Sequence, residues 1–325
     1  MRSPDRPVEF VLRAVATKDY LPCARPPWIK PRVIDTKNDF VSELDGSMAV
    51  RVGFLKLGCI GSASLLEFML DERAERQDID VRVVGSGAKL GVEQAEEVAQ
   101  RILEFKPQLV VVTSPNATLP GPKRAREILK GAGVPTVVVS DSPGKKAAQE
   151  LEQQGFGYII VEADSMIGAR REFLDPLEMV LFNLDVTRVL AVTGALNLLA
   201  AEIDRAIEAI KKGIALTLPR IVVDKEKAIK AASFSNPYSA SKAIAAYETA
   251  RRVGDLTVEA CFVVKEWERY TQLASAAHEM MRQAARLADE AREIEKSQDT
   301  VSRMPHYDDG SILQKRRLIE KPTRP

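Results

Sequence analysis

Histidine and cysteine are scarce in this chain of 325 residues, which holds two histidines and three cysteines. With only His278 and His306 available, a histidine-rich metal site is excluded and a Ser-His-Asp constellation has few places to form. The cysteines, Cys23, Cys59 and Cys261, are odd in number and far apart. That spacing favours a reduced, cytoplasmic setting and argues against a disulfide framework or a zinc site. The sequence therefore predicts a cytoplasmic protein without a bound metal.

Charge of one sign and long apolar runs are also lacking. The net charge of +1 gives no overall attraction to nucleic acid or to an anionic membrane. No apolar run approaches the length of a membrane span, and the first residues lack the apolar core of a signal peptide. Apolar residues make up 45% and charged residues 29% of the chain, which is typical of a globular protein with sizeable cores. We therefore predict small-molecule partners, no nucleic acid and no membrane.

The first two stretches of the chain differ in pattern. Prolines interrupt every periodic segment of residues 1–47, which predicts a poorly ordered and dispensable extension. We expect that the start of translation was assigned upstream of the real one. The alternative is a partner-binding arm that uses Trp28 and Phe40. Over residues 48–163, short apolar strands alternate with helices, which predicts an α/β domain with a parallel sheet, right-handed crossovers and flanking helices.

The remaining stretches are predicted to be mainly helical and then hairpin-like. Residues 164–300 form a helical domain with short strands at 220–223 and 260–264, and its last long helix carries an alanine stripe that allows close helix packing. Residues 301–325 form a small β tail that turns at Asp308–Ser311.

The stretch from Arg51 to Ser64 is the local signature around which the first domain is organised. A buried strand runs into a turn with the spacing Gly-x-x-Gly at Gly58 and Gly61, and a helix follows. Glycine permits the close approach of a backbone or a ligand, and a helix N-terminus stabilises an anion. The spacing differs from the Gly-x-Gly-x-x-Gly of dinucleotide-binding proteins, so a turn that only packs stays an alternative. We expect Gly61→Val to weaken ligand binding while leaving the fold largely intact.

Polar and glycine residues follow four successive strands of the predicted sheet. Because the carboxyl ends of parallel strands meet at one edge, where ligands bind, these loops predict a site for an anionic small molecule. The candidate ligand-binding residues are Lys56, Gly58, Gly61, Ser62, Gly85, Ser86, Lys89, Ser114, Asn116, Asp141, Pro143 and Gly144.

A second set of candidates lies in the helical stretch. Arg170 and Arg171 offer planar donor forks for an acidic group, or else belong to a solvated ion-pair cluster with neighbouring carboxylates. His278 shares a helix face with Arg282, and the alternative to a ligand contact there is a packed or hydrogen-bonded histidine. The sequence shows no carboxylate pair and no Cys-His pair at a spacing typical of a catalytic site.

Several short motifs stand in the order known from one protein family. From Met48 to the C-terminus, the chain resembles the coenzyme F420-dependent methylenetetrahydromethanopterin dehydrogenases of methanogenic and related archaea. The most specific stretch is MIGARREFLDP at residues 166–176. The motifs lie at residues 56–62, 83–89, 115–116, 120–122, 141–144, 154–158, 167–176 and 275–282.

The resemblance implies an activity and its ligands. The reaction would be reversible hydride transfer between the methylene carbon of methylenetetrahydromethanopterin and C5 of coenzyme F420, a dissociable deazaflavin co-substrate, with no metal and no tightly bound flavin. The strand-end loops would hold F420, with its phosphate near a helix N-terminus. The helical domain would close over the pterin and place Arg170, Arg171, His278 and Arg282 toward it. Family members are homo-oligomers, implied here to be hexamers, which the alanine-striped helix would support.

Departures from the family pattern keep two alternatives open. Leu57 and Cys59 stand where the family usually has Cys and Asn, and Ala117 replaces a proline, which leaves the contacts of the first turn undecided. One alternative is a non-catalytic paralogue that binds the pterin or the deazaflavin. The other is a nicotinamide-dependent dehydrogenase, against which the missing glycine fingerprint counts.

Overall fold

The structure, a computed structural model, describes residues 49–71, 76–165, 170 and 172–324. The predicted extension over residues 1–47 and the candidate Arg171 lie outside the described residues. The strands are β1 (Val50–Lys56), β2 (Ile79–Gly85), β3 (Leu109–Ser114), β4 (Thr136–Asp141), β5 (Gly157–Val161) and β6 (Arg220–Val223). The helices are α1 (Gly61–Asp71), α2 (Val92–Glu104), α3 (Pro120–Gly131), α4 (Ala148–Gln153), α5 (Pro176–Val192), α6 (Ala195–Lys211), α7 (Lys225–Ala232), α8 (Pro237–Val258) and α9 (Trp267–Ser297).

The six strands form one sheet in the order β2-β1-β3-β4-β5-β6, and every neighbouring pair is parallel. All residues of the central strands β3 and β4 are buried, because helices cover both faces of the sheet. This burial explains why these strands read as continuous apolar runs in place of alternating patterns. The predicted α/β fold with a parallel sheet and flanking helices is confirmed.

Two apolar layers hold the helices on the sheet. On one face, Phe54 and Val139 pack with residues of α1, α5, α6, α8 and α9, including Val186 of α5. On the other face, Leu55 and Val110 pack against α2 and α3. The fully buried side chains contribute about 1.5–3 kcal/mol each to the free energy of folding. These layers fix where the helix N-termini lie relative to the strand ends.

Of the two short strands predicted in the helical stretch, the structure confirms one and contradicts the other. Arg220–Val223 is a strand, and it pairs with β5 as an edge of the main sheet. The prediction of a strand at 260–264 is wrong, because α8 runs on as a π-helix over Glu259–Val263. A short apolar run has no period that separates strand from helix. The Arg170 side chain stabilises this segment, since its Nε donates to the Ala260 carbonyl at 3.0 Å. The boundary between residues 163 and 164 stays a prediction.

The alanine stripe of α9 is used within the subunit. Ala277, Ala284, Ala285 and Ala288 are buried in the layer that α9 forms with α8, and Ser239 of α8 donates to the Ala291 carbonyl at 2.5 Å. The predicted close helix packing therefore occurs between α8 and α9. These alanines leave no surface for a second copy of the chain.

The C-terminal tail folds back through antiparallel bridges that join Arg303 to Lys315 and His306 to Ile312. Gly310 lies at the turn with φ +83°, and a Cβ at this position would meet Asp78 Oδ2 at 2.0 Å. Glycine is therefore required for the tail to approach the chain that leads into β2.

No single helix in the described part of the chain is long and apolar enough to span a bilayer. Only α5 and α6 taken together reach the necessary length and composition, and the chain bends by 70° between them.

Candidate functional site

The carboxyl ends of the strands form a continuous edge, as the sequence predicts, and hydrogen bonds tie its loops together. The Ser86 amide, after β2, donates to the Lys56 carbonyl of β1 at 3.0 Å. The Leu57 amide donates to the Thr113 carbonyl of β3 at 2.9 Å. Because neighbouring loops share these bonds, their backbones form one connected rim.

The turn between β1 and α1 has an internal partner. The Asp164 carboxylate, which follows β5, accepts a hydrogen bond from the Gly61 amide at 2.6 Å and one from the Ser62 amide at 2.9 Å. These are the first amides of α1, which lack partners within the helix. The anion expected at this helix N-terminus is therefore a carboxylate of the chain itself, and a ligand phosphate near a helix N-terminus stays a prediction. Other ligand contacts of Gly61 and Ser62 stay predictions.

Burial makes the Asp164 carboxylate hard to ionise. Its side chain is inaccessible to solvent, and this burial raises its pKa to about 6, against the hydrogen bonds from Ser62 and Gly61 that favour the charged form. Partial desolvation of the Cys59 thiol beside the turn raises its pKa, and the negative charge of Asp164 adds to this effect. Cys59 is exposed at the tip of the turn, with Sγ 3.5 Å from Asn183 Oδ1 of α5. The turn thus contacts the helical part of the fold directly.

Three residues at the start of the β1–α1 turn, including the departure Leu57, have packing or ion-pair roles. Leu57 is buried with Leu55 in the layer under α2 and α3. Gly58 has φ +76°, a conformation that glycine adopts readily, and a Cβ there would lie 2.9 Å from Leu90 Cδ2. Lys56 forms an ion pair with Glu67 of α1, so its charge is partly neutralised.

The loop after β2 presents an exposed cation at the rim. The Ser86 hydroxyl donates to the Lys89 carbonyl at 2.6 Å, which closes the loop. The Lys89 side chain is exposed and forms no ion pair with any described residue. Gly85 precedes this loop, where an added Cβ would meet Lys56 Cβ at 3.4 Å. Lys89 is therefore the candidate best placed to attract an anionic ligand.

The loops after β3 and β4 are joined by buried polar contacts. The Ala117 amide donates a hydrogen bond to Ser140 Oγ at 3.2 Å, and the Arg126 guanidinium donates to the Ala117 carbonyl at 2.8 Å. Asn116 closes its own turn, since its Oδ1 accepts from the Thr118 amide at 2.9 Å. Arg126 is buried, which lowers its pKa. The candidate Ser114 is buried at the end of β3.

The segment after β4 is a 3₁₀ helix over Ser142–Ala147. The Asp141 carboxylate accepts from the Ser142 amide at 2.5 Å and so begins the helix, with Pro143 in its first turn. Gly144 is buried, and a Cβ there would lie 2.5 Å from Ser140 Oγ. Asp141, Pro143 and Gly144 thus shape the backbone of the rim.

Of the candidates in the helical stretch, Arg170 is already engaged. Its Nη2 donates to the Val264 carbonyl at 3.4 Å in addition to the Ala260 bond, and its guanidinium lies 4.4 Å from the centre of the Tyr270 ring. These contacts hold the π-helix in place. A role for Arg170 or Arg171 in binding an acidic ligand stays a prediction.

His278 is packed between aromatic rings. Its ring centre lies 4.9 Å from that of Phe173 and 4.4 Å from that of Phe182. Its Nδ1 lies 3.3 Å from Glu178 Oε2, while Nε2 has no hydrogen-bond partner among the described residues. Burial lowers the pKa of His278 against the opposing effect of Glu178, so the neutral ring predominates. Arg282, one turn further along α9, pairs with Glu279 at 3.1 Å.

Helix α5 connects the two sets of candidates. Phe182 contacts His278 on α9, and the next residue, Asn183, contacts Cys59 on the β1–α1 turn. The structure therefore brings His278 and the rim of the sheet to the same section of α5. Arg170 is placed instead against the π-helix.

Sequence reasoning missed Asp164, Arg126, Ser140 and Asn183. Asp164 carries the signal used for the other candidates, since it is a polar residue just after a strand, and the same rule applied to β5 would have included it. Arg126 and Asn183 sit within helices and show no local pattern. Among the residues that the structure describes, no group of three or more His, Cys, Asp or Glu side chains is arranged to hold a metal.

Comparisons with known proteins agree on one family. The pattern of the methylene-5,6,7,8-tetrahydromethanopterin dehydrogenase family matches residues 50–323. The chain is 58% identical over 275 residues to the F420-dependent methylenetetrahydromethanopterin dehydrogenase of Archaeoglobus fulgidus, covering 85% of this chain and 100% of that protein. It is 52% identical over 276 residues to the protein of the same name from Methanocaldococcus jannaschii, with the same coverage of 85% and 100%.

A solved structure is similar over nearly its whole length. It is an F420-dependent methylene-tetrahydromethanopterin dehydrogenase in complex with methylene-tetrahydromethanopterin and coenzyme F420. The TM-score is 0.82 at 44% sequence identity, and the similarity covers 84% of this chain and 99% of that one. The likeness therefore extends from sequence to the arrangement of the sheet and its helices.

Proposed function

The chain belongs to the methylene-5,6,7,8-tetrahydromethanopterin dehydrogenase family, and on that premise we propose that it transfers a hydride reversibly between methylenetetrahydromethanopterin and coenzyme F420. The products are methenyltetrahydromethanopterin and reduced F420. The observation that carries this function is the match in sequence and fold to a dehydrogenase solved with both compounds. The family predicted from the sequence motifs is confirmed.

The rim at the carboxyl ends of the strands is the proposed place of F420, which acts as a dissociable co-substrate. Its support is the connected backbone of the loops and the exposed Lys89 beside them, which forms no ion pair with any residue that the structure describes. Because the Gly61 amide at the N-terminus of α1 already donates to Asp164, the anionic tail of F420 would bind near the Lys89 side chain. The pterin would lie between this rim and α5, with His278 and Arg282 behind it on α9.

The reaction depends on the relative orientation of the two ligands more than on a proton-transfer residue of the protein. Removal of a hydride from the methylene carbon leaves a cation that is delocalised over two nitrogens of the substrate itself, so no base is needed at that carbon. Holding two reactants face to face supplies about 7–11 kcal/mol of barrier lowering when the reacting atoms lie about 3–3.5 Å apart. A neutral, packed His278 is compatible with this role, because it shapes the site without exchanging a proton.

The substitution His278→Gln tests that account. We expect single-turnover hydride transfer to slow by less than about tenfold, because the substitution alters the packing and the Glu178 contact without removing a proton-transfer group, whereas an obligatory acid or base contributes about 10²–10⁴-fold. The single turnover is followed by F420 absorbance, since slow product release hides the chemical step in steady state. A loss of about a thousandfold with both ligands still bound would identify His278 as a proton-transfer residue and contradict the account.

The direct test of the function is the absorbance of oxidised F420. Adding methylenetetrahydromethanopterin to the purified chain with F420 should bleach the visible band, while NAD⁺ or NADP⁺ in place of F420 should give no reduced nicotinamide. Bleaching of F420, without reduction of either nicotinamide, supports the proposal. Reduction of a nicotinamide would favour the dinucleotide-dependent alternative, and binding without turnover would favour a non-catalytic paralogue.

Lys89→Gln tests the placement of the coenzyme. We expect the KM for F420 to rise about threefold with kcat unchanged, because an exposed charge contributes about 0.2–1 kcal/mol to ground state and transition state alike. Lys130→Gln is the matched control, since Lys130 is exposed in the last turn of α3, at the opposite end of the sheet. Equal KM values for the two variants and the parent would show that Lys89 does not contribute to F420 binding.

The remaining proposals concern assembly and location. We propose a homo-oligomer, a hexamer by family resemblance, and a cytoplasmic enzyme. The support for an oligomer is a row of exposed apolar side chains along α5, formed by Leu177, Val180, Leu181 and Leu184. Light scattering of the purified chain measures the number of subunits.

A further inference from the structure

Arg126 of α3 is a buried cation that no step of the proposed reaction uses. It is only 1% exposed, and no carboxylate in the described part of the chain forms an ion pair with its guanidinium. Its Nη1 donates to the Ala117 carbonyl at 2.8 Å, while its Nε has no hydrogen-bond partner among the described residues. A charge is costly to bury, and arginine is almost never fully buried without an acid that pairs with it. The unpaired charge therefore calls for a physical explanation.

The acids whose charges act on Arg126 are bonded to other cations. They are Glu150 and Glu127. Glu150 pairs with Lys123 at 3.0 Å, and Glu127 pairs with Arg124 at 3.3 Å. Both carboxylates are also partly exposed, so water and salt screen them. Burial lowers the pKa of Arg126, but an arginine keeps its charge at neutral pH. The chain therefore compensates this positive charge only weakly.

The charge lies beneath the loop between β3 and α3. The Ala117 carbonyl that accepts from Arg126 is in this loop, between the half-buried Asn116 and Thr118. The centre of the Phe156 ring lies 6.0 Å from the guanidinium, in the apolar cluster that includes Ala117. A charge in apolar surroundings acts over a longer distance than a charge in water. The guanidinium thus makes the electrostatic potential more positive at this part of the rim.

The loop that carries Lys89 packs against the same helix. A Cβ on Gly121, in the first turn of α3, would lie 2.2 Å from the Leu90 carbonyl oxygen and 2.9 Å from the Gly91 carbonyl oxygen. This close approach places the loop after β2 beside the start of α3, and Lys89 directly precedes Leu90 in it. One exposed cation and one buried cation therefore belong to the same section of the rim.

We propose that Arg126 is a specificity-determining residue for the coenzyme: its buried charge attracts the phosphate of F420 to the β3–α3 loop and favours F420 over a deazaflavin without a phosphate. The inference rests on the proposed function, because it takes F420 as the ligand of the rim. Arg126 acts through the field of its charge and not by contact, since its side chain is buried. Lys89 attracts the same phosphate from the solvent side, where salt screens its charge.

The test compares the binding of two compounds to the parent chain and to Arg126→Gln. One compound is F420, the other is the same deazaflavin cut off before its phosphate, and fluorescence quenching gives each Kd without turnover. Glutamine keeps a donor for the Ala117 carbonyl and removes the charge. We expect the Kd for F420 to rise about tenfold, because a unit charge that acts over about 10 Å at an effective dielectric constant of about 20 changes binding by this order. The Kd for the phosphate-free compound should stay at the parental value.

Arg124→Gln is the matched control. Arg124 lies on the same helix, but its side chain is exposed and pairs with Glu127, so both parental Kd values should be kept. An equal rise for both compounds in Arg126→Gln would show that Arg126 only supports the loop. Unchanged values for both compounds would show that its charge does not reach the ligand. Either result overturns the proposal.

Salt gives a second measurement that needs no change at Arg126. In Lys89→Gln the exposed charge is absent, so the buried charge should maintain a preference for F420 over the phosphate-free compound. We expect this preference to persist at about 0.5 M salt, because a buried charge is screened much less than an exposed one. Equal binding of the two compounds under these conditions would overturn the proposal. Selective binding of F420 by a parent chain that never reduces it would instead contradict the proposed function and leave the role of Arg126 standing.

Discussion

Gly61→Val should lower the free energy of unfolding by about 3 kcal/mol or prevent folding altogether. A Cβ at this position would lie 2.4 Å from Val186 Cγ1 and 3.1 Å from Leu190 Cδ1, two buried side chains of α5. Overpacking of this kind costs about 1–3 kcal/mol, and shifting the turn also strains the hydrogen bonds to Asp164. The sequence-based expectation that Gly61→Val leaves the fold largely intact is therefore wrong.

Urea denaturation followed by circular dichroism measures this loss. Gly61→Ala, which adds only the Cβ, should already shift the midpoint toward lower urea. The matched control is Gly254→Ala in α8, where the added Cβ would meet Ser165 Oγ at an ordinary 3.8 Å. That change should be neutral or stabilise the helix by up to about 1 kcal/mol. Equal midpoints for the two alanine variants would mean that α5 moves aside without penalty.

Asp204→Ala should destabilise the protein by about 3 kcal/mol and loosen the C-terminal tail. Asp204 on α6 accepts from His306 Nε2 at 2.6 Å and from Arg76 Nη1 at 3.2 Å, and only 11% of its side chain is exposed. Removing one member of a buried ion pair costs about 3–5 kcal/mol, because the partner keeps its desolvation without its bond. Arg76 retains its bonds to Asp78, so the loss should lie near the lower value.

Limited proteolysis and urea denaturation together separate these two effects. The tail should become sensitive to protease at concentrations of urea where the rest of the chain resists it, since Asp204 joins α6 to His306. Asp289→Ala is the control, because Asp289 pairs with Arg188 at 3.3 Å in an exposed position worth less than about 1 kcal/mol. If both variants unfold at the same urea concentration as the parent, the cluster around Asp204 contributes nothing measurable.

The local parts of the candidate site were accessible from the sequence because short-range rules govern them. Asp175 begins α5 by accepting from the Glu178 amide at 2.8 Å, with Pro176 in the first turn, as residue preferences predict. The loops after β1 to β4 lie along one edge, since parallel strands that alternate with helices leave no other arrangement. The family motifs added the identity of the ligands, which spacing alone did not provide.

The errors have a common physical origin in contacts between distant parts of the chain. The anion expected at α1 is replaced by Asp164, which comes from a segment about a hundred positions later in the sequence. The stretch predicted as a strand at 260–264 instead continues α8 as a π-helix to Val263, where the Arg170 side chain binds the Ala260 carbonyl. Neither interaction leaves a trace in the periodicity of the residues that it affects.

The sequence by itself determined the α/β class, the parallel sheet, the family and the set of loops that meet at its edge. Each of these follows from apolar period, turn residues or motif order, which are properties of neighbouring positions. Only the tertiary structure decided that Asp164 occupies the N-terminus of α1, that the alanines of α9 are buried within the subunit, and that burial among aromatic rings lowers the pKa of His278. Burial and long-range hydrogen bonding set these features, and both exist only once the helices have packed on the sheet.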